Sequence, residues 1–167
     1  MKAGWLAATA ALGLVTACGS EAPKPVAVEK AKKMLPGEYE ITSEVTSVRS
    51  ADKSTPATKA KVGDKSTYRG CVAADGTLDP AMFVDKGDKC SVTNTYVRSG
   101  RLSVQYQCSR PGHGSVYPNV DGNFTADGFE AVVNTGTAFS GDGDYQATRK
   151  LTAKRVGECA DAGTKAG

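Results

Sequence analysis

Histidine is almost missing from this 167-residue chain, which has only His113. One imidazole excludes the usual His-rich zinc sites and leaves little from which to build a proton relay. Tryptophan is as scarce, with Trp5 alone, and aromatic residues make up 7% of the sequence. Charge of one sign is lacking too: 21 Lys and Arg nearly balance 18 Asp and Glu, and the net +3 is spread along the chain. No dense basic surface can neutralise a run of phosphates, so nucleic acid is excluded as a partner. No apolar run reaches the ~20 residues of a membrane-spanning helix. What remains suffices for one modest domain.

The longest uncharged stretch, Ala3 to Ala17, follows Met1-Lys2 and has the size of an export-signal core. It ends in Leu14-Val15-Thr16-Ala17-Cys18, which resembles the lipobox of bacterial lipoproteins. That resemblance implies a signal peptide over residues 1–17. It also implies a mature chain that begins at Cys18, carrying a diacylglycerol thioether and an acylated amine of the palmitate type. Each buried CH₂ adds ~0.8 kcal/mol, so several chains on one residue hold the protein stably on the membrane, its first expected partner. Gly19 stands where lipoproteins retained in the inner membrane often carry Asp, so the resemblance favours the outer membrane, facing the periplasm. The alternative is an ordinary secretory signal that leaves Cys18 as a free thiol.

Residues 18–34 are rich in Ala, Pro, Lys, Glu and Val, with Pro23 and Pro25 favouring extended backbone. They read as a flexible, lipidated tether. Residues 160–167 lack any apolar period and read as a disordered tail. Between them, residues 35–159 form one β-rich domain.

Within that domain Thr, Val and Tyr alternate with polar residues, and Gly, Asp, Asn and Ser gather between the runs. Glu38 to Val48 reads as a strand with a bulge near Ser43, Lys59 to Val62 as a short edge strand, and Ser66 to Val72 as another strand. Asp79-Pro80 starts a helix of about two turns, capped by Asp and closed by Lys86-Gly87, with Met82 and Phe83 as anchors. Ser109 to Asp121 contains Pro111 and Pro118 and reads as a loop or irregular edge. A hairpin around Ala126-Asp127-Gly128 and a final strand over Asp144 to Val156 follow. The expected fold is mainly β: an antiparallel meander, or a partly closed barrel-like sheet, with one short helix and two disulfides.

A three-residue loop at Arg98-Ser99-Gly100 sets Cys90 opposite Cys108, Val92 opposite Tyr106, Asn94 opposite Val104 and Tyr96 opposite Leu102. Both cysteines and most large apolar residues then share one face, which predicts a Cys90–Cys108 disulfide. With Cys18 assigned to lipid, Cys71 is left to pair with Cys159. Four thiols could instead hold a metal, but none is spaced C-x₂-C and an exported location is oxidising.

Several of these features resemble an uncharacterised bacterial family, the domain of unknown function 3617. The carriers are Leu35-Pro36-Gly37-Glu38-Tyr39-Glu40, Cys71 ahead of Asp79-Pro80, Cys90, Cys108 and the closing Arg155-Val156-Gly157-Glu158-Cys159. Tyr39 stands where the family usually has an aromatic residue, often Trp. The resemblance implies an exported or lipidated protein and transfers no activity.

Candidate chemistry is thin. His113 sits in a Gly-flanked loop with neither a nucleophile nor an orienting partner at local spacing. Gly141-Asp142-Gly143-Asp144 has calcium-type ligands but lacks the twelve-residue loop of an EF-hand, and a plain turn explains it. Glu38, Glu40 and Glu44 lie along one strand, as solvated side chains do; paired-carboxylate chemistry is the sharper alternative. No metal, cofactor or catalytic residue is expected. The expected function is a non-enzymatic binding or structural module that meets an envelope protein or an apolar ligand. A face made of Tyr39, Val92, Tyr96, Val104, Tyr106 and Phe124 would supply the contact. A carboxylate-dependent hydrolase and a periplasmic enzyme inhibitor are the alternatives.

Overall fold

The computed structural model describes residues 31–159. The expected signal peptide, Cys18, most of the expected tether and the tail expected at 160–167 lie outside the described residues. Seven antiparallel strands follow one another: β1 Gly37–Ser50, β2 Lys65–Val72, β3 Lys89–Arg98, β4 Arg101–Arg110, β5 Gly114–Phe124, β6 Gly128–Phe139 and β7 Tyr145–Gly157. They form one sheet in the order β2-β1-β7-β6-β5-β4-β3. A meander thus runs from β3 to β7, and the β1–β2 hairpin joins it through β7.

Alternation decides which face is buried. On β1, Tyr39, Ile41, Ser43 and Val45 point inward while Glu40 and Thr42 are exposed. On β4 the buried set is Leu102, Val104, Tyr106 and Cys108. Burying a Leu, Ile, Val or Phe contributes about 1.5–3 kcal/mol, which makes this face the main source of stability. What covers it is the β2–β3 connection. The Phe83 ring lies 6.3 Å from that of Tyr106 on β4 and 5.6 Å from that of Phe129 on β6. Met82 packs so closely on Gly70 of β2 that a β-carbon there would overlap it.

These contacts require the sheet to curl. In a flat sheet β2 and β4 would stand five strand spacings, about 24 Å, apart, and two adjacent residues could not touch both. The edges β2 and β3 do not pair, so the sheet is a partly closed trough filled by its own connection.

Both disulfides form as expected, Cys90 with Cys108 and Cys71 with Cys159. Five local expectations are corrected. The helix is a single 3₁₀ turn, Pro80–Met82, capped by Asp79, whose carboxylate accepts from the Ala81 amide. The β1 irregularities fall at Glu38/Tyr39 and Val45/Ser47 rather than at Ser43. Lys59 to Val62 forms no strand.

Residues 114–121 lie inside the central strand β5 despite Pro118. Proline is tolerated because the β4–β5 ladder has no paired residues between Gln105↔Asn119 and Cys108↔Val116, while Pro118 stays paired with Thr135 of β6. Finally, the β3–β4 turn has two residues, Ser99 and Gly100, both with positive φ. A bulge at Thr93 absorbs the difference. Cys90 and Val92 keep the expected partners, but beyond the bulge Val97 takes the place opposite Leu102 and Tyr96 faces Ser103.

Candidate functional site

A cleft of about 760 Å³ opens between the unpaired edges, lined by Tyr68 and Arg69 of β2, the 79–88 segment, Cys90 of β3 and Arg149 of β7. Its 79–88 wall is tied down by side chains reaching from three strands, β2, β4 and β7. The Tyr68 hydroxyl donates to the Met82 carbonyl at 2.9 Å and Arg149 Nη2 to the Phe83 carbonyl at 2.6 Å. Arg149 Nη1 lies 3.6 Å from Asp85. Arg110 donates through Nε and Nη2 to the two oxygens of Asp88, through Nη2 to Asp85, and through Nη1 to the Tyr145 hydroxyl at 2.8 Å.

Asp88 is buried, its side chain 3% exposed. Both its oxygens are committed to one guanidinium, so it clamps the connection to β4. Such pairing orients the connection over the core. Both carboxylates of the connection, Asp85 and Asp88, are engaged by arginine.

A second cleft, about 570 Å³, lies beside the β5–β6 turn, lined by Phe124, Phe129 and Ala153 together with Asn123, Glu130 and Lys154. Near it the chain enters the domain: the Leu35 amide donates to the Ala126 carbonyl, and the Tyr39 hydroxyl to the carbonyl of Leu35.

The six residues expected to form one ligand face separate. Tyr39, Val104 and Tyr106 are enclosed in the core, and Phe124 is buried at its edge. Val92 and Tyr96 are exposed on β3 and, because of the bulge, point to opposite faces of the sheet. Only Phe124 lines a cleft. Burial pushes the Tyr106 hydroxyl up to about 12, with Asp79 adding to the effect, and that hydroxyl has no hydrogen-bond partner.

Of the weighed carboxylates, Glu38 and Glu40 meet Arg69, and Glu44 meets Lys65. Asp144 accepts from Thr137 and from the Phe139 amide, so the Gly141–Asp144 run is an ordinary turn. His113 stacks on Phe139. Among the described residues no three His, Cys, Asp or Glu side chains converge as metal ligands would, and no helix is long and apolar enough to cross a membrane.

Sequence reading missed the Arg110–Asp88–Asp85–Arg149 cluster. Its only local trace is the pair of aspartates just after Met82-Phe83; the arginines come from strands far along the chain. Asp52 was missed as well. It holds the 51–64 loop to the β6–β7 turn through the amides of Gly143 and Asp144. Hydrogen bonds from Ser54, then from Asp144 and Gly143, keep its carboxyl well below the usual range.

Residues 34–159 match the model of the protein family of unknown function DUF3617. The chain belongs to that family. The match starts at Met34, whose side chain is buried in the core, and ends at Cys159, which closes the second disulfide. A DUF3617 domain in this chain is therefore the whole disulfide-bonded trough. Comparison with curated proteins and with solved structures gives no match.

Proposed function

We propose that this DUF3617 protein is a lipid-anchored envelope module that works by docking another envelope protein, not by catalysis or by carrying an apolar ligand. The observation that supports this reading is the filled trough. Met82 and Phe83, both fully buried, occupy the concave face on which an apolar ligand would otherwise sit. A sheet that encloses a ligand keeps that space open. Here the same surface is spent on the protein's own core, and exposed strand and cleft surface is left for a partner. The Cys18 anchor and the tether would hold that surface near the outer membrane.

An apolar fluorescent probe tests the choice. The folded protein is expected to show no saturable binding. Saturable binding that disappears in a folded Tyr106→Ser variant would replace the docking reading with ligand carriage.

A further inference from the structure

The two edges of the sheet are protected very differently. On β2, Lys65 and Arg69 project charge and the Cys71–Cys159 disulfide ties the strand end down. Soluble proteins use such charges to stop other strands from adding to an edge. β3 is likewise tied near one end, by Cys90–Cys108, but it carries no such charge between its ends: Ser91 to Val97 reads Ser-Val-Thr-Asn-Thr-Tyr-Val. Eight of the ten β3 residues are exposed. With β4 as its only neighbour, alternate backbone N–H and C=O groups on either side of the Thr93 bulge face outward. Val92 presents an apolar side chain on one face and Tyr96 on the other, each nearly half exposed.

The ends of the strand are cationic. Lys89 opens it, and Arg98 closes it directly opposite Arg101 across the turn. Like charges in facing positions destabilise a strand pair. None of the three has a carboxylate within ion-pair distance among the described residues; Arg98 instead lies over the Tyr96 ring.

We propose that β3 is a docking edge that takes an extended, acid-ended segment of an envelope protein as an added strand. This rests on the docking reading above and names the partner's chemistry. Backbone hydrogen bonds would supply affinity, Val92 and Tyr96 would meet β-branched or aromatic side chains, and terminal carboxylates would relieve the Arg98–Arg101 repulsion. A second copy of this chain is the poorer occupant, because antiparallel pairing of β3 with itself sets Lys89 against Arg98 at both ends.

The test uses the full chain in detergent and a fluorescent nonapeptide of alternating Thr and Val with Glu at each end. Saturable binding is expected. It should weaken at least tenfold when the peptide's Glu residues become Lys, and the Arg98→Glu, Arg101→Glu double variant, which leaves Lys89 at the other end, should abolish that preference. N-methylating alternate residues along one peptide edge should abolish binding, and methylating the other edge should not. Equal binding of the two methylated forms, or no saturable binding to folded protein, overturns the proposal.

In cells, a photo-cross-linker at Thr95 should capture envelope protein, and the double variant should lose that capture. Capture only from Thr152, on the outer face of β7, would overturn the edge assignment and leave the docking reading standing. Capture from neither position would overturn both.

Discussion

Arg110 grips Asp88 with two nitrogens, Nε at 2.8 Å from one carboxylate oxygen and Nη2 at 2.7 Å from the other. The contact binds the β2–β3 connection to β4, and it raises the guanidinium's affinity for its proton, chiefly through the Asp88 hydrogen bonds. Removing one member of such a buried pair strands the other charge. Asp88→Ala is expected to cost about 3 kcal/mol in urea unfolding, at the low end for buried pairs because Asp85 still reaches Arg110. Arg110→Met combined with Asp88→Leu should cost clearly less than Asp88→Ala alone. An additive loss would show that the pair is not coupled.

Tyr106 gives the opposite sign. Its buried hydroxyl lacks a partner, so Tyr106→Phe is expected to stabilise the fold by about 1 kcal/mol. The same group sets an alkaline limit. Its folded pKa is raised, so its contribution is complete below the unfolded value near 10 and is lost as pH rises toward 12. Tyr39 and Tyr68, raised chiefly by burial, act in the same direction. Chemical denaturation between pH 9 and about 12 should show stability falling, less steeply in Tyr106→Phe; an unchanged slope would contradict this.

The two disulfides should differ in worth. They span sequence separations of 88 and 18 residues, for which the chain-entropy relation gives about 4.6 and 3.2 kcal/mol. Replacing Cys71 and Cys159 by Ala should therefore lower the urea midpoint more than replacing Cys90 and Cys108. Non-reducing peptide maps should recover the same two pairs.

The anchor has its own measurement. Intact mass of membrane-extracted protein is expected to show a chain beginning at Cys18 plus acyl mass, and Cys18→Ala should block processing. A soluble product that starts at Cys18 with a free thiol would contradict the anchor.

Strands whose side chains alternate cleanly were legible from sequence, as Tyr39-Glu40-Ile41 and the Cys90–Cys108 hairpin show. The second disulfide followed by elimination. What escaped was set by backbone hydrogen-bond arithmetic that side-chain pattern does not carry. A bulge at Thr93 turned Tyr96 outward, and a gap in the β4–β5 ladder let Pro118 sit in a central strand. The arginine cluster escaped for a different reason: Arg110 and Arg149 meet the 85–88 segment only once the sheet has curled, and no local spacing encodes that meeting.

The strand order makes β7 the keystone. Within the sheet it alone links the β1–β2 hairpin to the meander of β3 to β6, and its far end, Gly157, pairs with Glu38 near the start of β1. A ribosome releases β1 first and β7 last, so the first strand has no permanent neighbour on that side until the final one has emerged. The hairpin and the meander wait as two unjoined halves, each with an open edge where β7 belongs. The architecture therefore delays closure until the last strand arrives, and a chain truncated before Tyr145 would keep both halves yet lose the seam that joins them.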